Sequence, residues 1–181
     1  MFFKLDKIPD GSRLKAYCER MEKMGTINPD ELGKFIFSVF EDCRSFLLQK
    51  LKLISFPTIH LKIVYNTEKY RRFEREEAKK GLEMEVPKDS STAFAIGNRF
   101  LQRVYVDAES LIKLSDYGYP TFIMNLSEIY IHELLHCFYR NTKTEQEIHD
   151  MQCPLIEEFI GIELPEEIKK LKASDYYESK S

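Results

Sequence analysis

The chain has 181 residues, is 43% hydrophobic and 31% charged, and carries a formal net charge of −3. That length predicts one domain with a real core, and the slightly acidic balance excludes the basic footprint of a nucleic-acid or anionic-membrane binder. Met1 to Lys7 holds an acid and two lysines where a secretion signal needs a continuous apolar stretch, and no apolar run approaches the roughly 20 residues of a membrane span, so the expectation is a cytoplasmic protein.

In chain order, Gly11 to Lys23 predicts a first helix that stops near Gly25. Pro29 is placed as a first helical residue, and Leu32, Ile36, Val39, Phe40, Cys43, Phe46, Leu47, Leu51 and Ile54 then recur at helical spacing. This long amphipathic helix supplies much of the expected core, and Pro57 ends it. Thr58 to Tyr65 alternates as a strand, with His60 on its polar face as a surface histidine. Residues 67–90 read as a charged insertion within the domain, whose Thr67 to Lys80 stretch suits a solvated helix.

Ala93 to Gly97 and Arg103 to Asp107 predict two strands joined at Gly97-Asn98, and Ala108 to Leu114 a short helix. Gly118 and Pro120 mark a loop. Phe122 to Arg140 forms the next helix, and Thr144 opens another, with Thr144 and Glu147 spaced as a capping box. The domain is expected to span 1–173, with 174–181 as a flexible polar tail. The four cysteines, Cys18, Cys43, Cys137 and Cys153, form no CxxC pair and predict buried, reduced thiols.

The chemistry is carried by His132-Glu133-Leu134-Leu135-His136. Residues four apart on a helix lie one above the other, so both histidines can aim a ring nitrogen at one ion. Glu133, rotated by about 100° from His132, sits beside that ion and is placed to act as general base. A catalytic zinc needs a third protein ligand and an open position. The short connection at Asn141 to Thr144 predicts antiparallel helices, which set His149 level with His136 and Cys153 level with His132. Glu145, His149 and Gln152 share one flank of the second helix. His149 meets both the height and the facing criterion and is the assigned third ligand. Glu145 is the alternative, with Glu147, Asp150 and Cys153 behind it, and Asp150 also suits a supporting role around the ligands.

The HExxH motif and the order of elements resemble the zincin metallopeptidases. The resemblance implies an α+β fold: a zincin-like domain with a small mixed sheet, an HExxH active-site helix and a following helix. It implies a zinc-dependent peptidase acting on a peptide or protein substrate, with a substrate strand paired to an edge strand, either Ala93 to Gly97 or Arg103 to Asp107. Glu133 is then catalytic, with Tyr139 or Arg140 as candidates to stabilise the oxyanion. Glu145-Gln146-Glu147-Ile148 is similar to the gluzincin segment Glu-x-Glu-Ala-Asp, with His149 at the family's Asp position. The rival reading is a zincin-like metal-binding regulatory module without peptidase activity. No nucleic acid or membrane is an expected partner, and the sequence leaves the oligomeric state open.

Overall fold

A computed structural model describes residues 8–25, 29–53, 59–64, 95–98, 103–107, 118–139, 142–164 and 166–169. Helix α1 is Arg13–Met24, α2 is Pro29–Lys50, α3 is Tyr119–Tyr139, α4 is Glu145–Ile160 and α5 is the short Glu166–Lys169. Three short strands, β1 (His60–Val64), β2 (Ala95–Asn98) and β3 (Arg103–Asp107), lie between α2 and α3 in the chain. The expected elements at 67–90, 108–114 and 174–181 fall outside the described residues, as does Arg140.

This composition corrects the α+β expectation: the described part of the chain is mostly helical. The physical reason lies in α3. The sequence predicts an amphipathic helix with one packed side, yet 13 of the 17 residues from Thr121 to Cys137 are buried, Glu128, Ile129, His132 and Glu133 being the exceptions. A helix buried over most of its circumference is surrounded by other elements, and it becomes the centre of a helical body. Helices α1, α2 and α4 all pack on it. The strands pair in the order β1-β3-β2, parallel then antiparallel, and give the described core only Val104 and Val106 from β3 and Ile59 beside β1. Gly97 and Asn98 pair within β2, opposite Val104 and Arg103, so neither forms the expected turn.

Local sequence explains where the helices start and stop. Ser12 caps α1 by accepting a hydrogen bond from the Lys15 amide, 3.2 Å. Pro120 falls in the first turn of α3, where its missing N–H is harmless. Asn125 and Ser127 are buried in α3, but both donate to carbonyls one turn back, at 2.7 and 2.8 Å. Thr144 and Glu147 make the expected capping box at the start of α4. Gly161 ends α4 at φ 75°, and a Cβ there would sit 3.3 Å from the Ser12 Cβ, so this turn also lets α4 close against α1.

The side of α3 toward α1 and α2 is sealed by aromatic rings. Phe40 of α2 meets Tyr130 of α3 edge-on at 5.3 Å, and Tyr17 of α1 meets Phe35 at 5.9 Å. Cys18, Cys43 and Cys137 are buried, and Cys153 is half-buried. Burial pushes the Cys18 thiol up to about 11 and the Cys43 thiol higher than usual. Among the described residues no helix is long and apolar enough to cross a membrane.

Candidate metal centre

Helices α3 and α4 run antiparallel: contacts step from His136 and Glu145 to His132 and Gln152 as one helix descends and the other climbs. The expected tight connection is thus present, and it sets the height of every side chain in the cleft between them. The Thr142 hydroxyl and amide both donate to the Tyr139 carbonyl at the end of α3, at 2.6 and 3.0 Å. The capping box fixes Glu145 as the first residue of α4. Two polar anchors therefore bracket the connection and define where α4 begins relative to the histidines.

His132 and His136 do turn their rings to one point. Their Nε2 atoms are 3.0 Å apart, and the rings meet edge-on with centroids 4.5 Å apart. Glu145 closes the group, with Oε1 3.0 Å from His132 Nε2 and Oε2 3.0 Å from His136 Nε2. One donor atom from each of these three residues lies within 4.8 Å of the others, so the group could hold a metal ion. The donor set also suits one chemically. Donors of a tetrahedral ion with bonds of about 2.0–2.1 Å lie about 3.3 Å apart, close to the observed spacing.

The residue that joins the two histidines in this group is Glu145, the named alternative, and not His149. His149 is buried on the same flank of α4, but its ring nitrogens fall outside the group. The height argument placed the helices well: Gln152 contacts His132, one residue from the expected level. Glu145, the first residue of α4, meets both rings, while His149, one turn further along, is buried outside the group.

The other candidates are occupied elsewhere. Glu147 Oε2 accepts from the Thr144 amide, 2.8 Å. Asp150 is exposed and accepts from Gln146 Nε2, 2.7 Å, so it does not support the ligands. Cys153 is half-buried, its thiol pushed up to about 11 by burial first and by the charges of Glu128, Glu157 and Asp150. Glu133 is half-buried and stands outside the three-residue group, as its rotation on the helix requires. Tyr139 lies under the Lys143 ammonium, 5.1 Å from its ring centre. His60 is exposed, as the alternation of its strand predicts.

Gln152, which the sequence places on the flank of Glu145 and His149 without assigning it a role, also joins the site. Its Oε1 lies 2.6 Å from His132 Nδ1, and it is 2% exposed. Its signal was present: it is seven residues after Glu145, on the same flank, at nearly the height of His132.

The electrostatics are those of a compact ion cluster. Burial pulls the His132 pKa down. The hydrogen bond with Glu145, the charges of Glu133 and Glu145, and the contact with Gln152 outweigh it and raise the value to about 9. Burial pushes the Glu145 carboxyl up, but the hydrogen bonds from both histidines hold it well below the usual carboxylate range.

Comparison of the chain with protein-family profiles, with curated proteins and with solved structures gave no match.

Proposed function

We propose that this chain is a zinc-dependent hydrolase of peptide bonds, with His132, His136 and Glu145 holding the ion and Glu133 as general base. The observation that carries the reading is the convergence of His132 Nε2, His136 Nε2 and the Glu145 carboxylate, with Glu133 next to His132 in an HExxH helix. Two imidazoles and one carboxylate are a catalytic zinc set that leaves a fourth position for water or substrate. The ligand set resembles that of the gluzincins. The resemblance is confined to these residues and does not extend to the fold.

When bound, the ion supplies a Lewis acid that polarises the scissile carbonyl and acidifies water. The protein's own groups do the rest. Glu133 takes the proton from the attacking water and passes it to the leaving amine. His132 and His136 stay neutral to serve as ligands, so zinc binding must expel the proton that His132 holds in the metal-free cluster. A peptide substrate is favoured by β2, an edge strand among the described strands that packs on α3, where an extended chain could pair as an added strand. Arg103–Asp107, the other candidate edge, is the central strand and cannot serve.

Glu133→Gln tests the mechanism. It should keep the metal and lose peptide hydrolysis by about 10²–10⁴-fold. Loss of metal would move Glu133 among the ligands. Metal bound with no hydrolysis of any peptide by wild type would favour a regulatory metal-binding module.

A further inference from the structure

The geometry points to Gln152 as the positioning residue that fixes the tautomer of His132 and thereby aims its Nε2 at the metal. This deepens the metal-centre reading and rests on it.

The His132 ring is held from both sides by one helix. Glu145 Oε1 meets Nε2 at 3.0 Å, and Gln152 Oε1 meets Nδ1 at 2.6 Å. Glu145 and Gln152 are seven residues apart on α4, two turns along one flank, so the helical repeat that brings one to the cleft brings the other. The amide oxygen of Gln152 can only accept, so Nδ1 must carry the hydrogen. In a neutral imidazole that leaves Nε2 as a bare lone pair facing His136 Nε2 and Glu145. A histidine ligand whose second nitrogen donates to a fixed oxygen cannot flip its ring or swap its proton without breaking that bond.

The choice of an amide has a consequence for charge. The centre holds one formal negative ligand, Glu145, among neutral ones. A carboxylate at 152 would keep the acceptor but add a second negative charge beside the ion, blunting its electrophilicity. Gln152 thus orients the ligand without quenching the metal. Being 2% exposed, it is shielded from water that could replace it as acceptor.

The test uses zinc itself on the full chain, in wild type, Gln152→Met and Gln152→Glu. Methionine keeps the shape and removes the acceptor; glutamate keeps the acceptor. Zinc affinity by chelator competition should fall about 10–100-fold in Gln152→Met and return toward wild type in Gln152→Glu. Nitrogen NMR of the imidazole rings should show the zinc-loaded wild-type His132 protonated at Nδ1 in slow exchange, and that signal weakened in Gln152→Met. Thermal unfolding of the metal-free proteins separates this from a packing defect, which would lower stability in Gln152→Met without moving the tautomer. Wild-type affinity in Gln152→Met, or a zinc-loaded His132 protonated at Nε2, overturns the role of Gln152. No zinc uptake by wild type overturns the metal-centre reading, and this role with it.

Discussion

The two sides of α3 obey opposite rules. Toward α2 the contact is made by large rings: Phe40 and Tyr130 are fully buried and meet edge-on. Toward α4 the same helix presents two histidines to a glutamate and a glutamine. The first interface gains from leaving water, roughly 1.5–3 kcal/mol for each large apolar side chain. The second loses by it, because imidazole, carboxylate and amide give up hydration and recover it only through bonds to one another. A buried polar cluster of this kind is weak evidence for stability. It marks the place where the fold gives up stability for a polar cluster that could hold an ion, on a helix packed from behind.

That contrast can be broken by perturbing each side separately. Phe40→Ala should cost about 3–5 kcal/mol of stability in denaturant titration. Zinc affinity per folded molecule should stay near wild type, because the ligands lie across the helix from the lesion. A large fall in that affinity would mean that the aromatic side also sets the ligand geometry.

The polar side should respond to pH instead. In the metal-free protein His132 titrates at about 9, above its ordinary 6.5. Its contribution to stability is therefore complete below about 6.5 and is lost as the pH rises through about 9. Glu145 is held below its ordinary 4.5, so its contribution is present above about 4.5 and is lost as the pH falls through its lowered value. Metal-free stability should thus hold a plateau between about 4.5 and 6.5 and decline on the alkaline side. Zinc shows the reverse on that side: its affinity should climb about tenfold per pH unit below 9 as one proton is displaced. His132→Ala should abolish the alkaline decline, and an unchanged decline would place the titrating group elsewhere.

Much of the site was legible because its information is local. The i, i+4 spacing of His132 and His136 needs only a helix to bring the rings together, and the Thr144–Glu147 box needs only four residues. Even the helix pairing could be counted out from the short connection. The membership of Glu145 in the cluster was not legible in the same way. Glu145 and His149 share a flank, and which of them meets the rings depends on the packing of the two helices, which periodicity does not encode. The amide of Gln152 resembles any half-buried polar residue until its partner is known. The fold class was misread for a related reason. The alternating pattern does coincide with a strand at His60–Val64, but strand pattern says little about which element dominates the core. The near-complete burial of α3 depends on what α1, α2 and α4 do around it.

The central claim is that His132, His136 and Glu145 form one metal centre. Zinc content per folded chain, measured by elemental analysis after zinc loading and desalting, addresses it most directly in wild type, Glu145→Ala and His149→Ala. The account predicts about one zinc per chain in wild type, the same in His149→Ala, and little or none in Glu145→Ala. A wild type that takes up no zinc, or a Glu145→Ala protein that keeps its zinc while His149→Ala loses it, would contradict it.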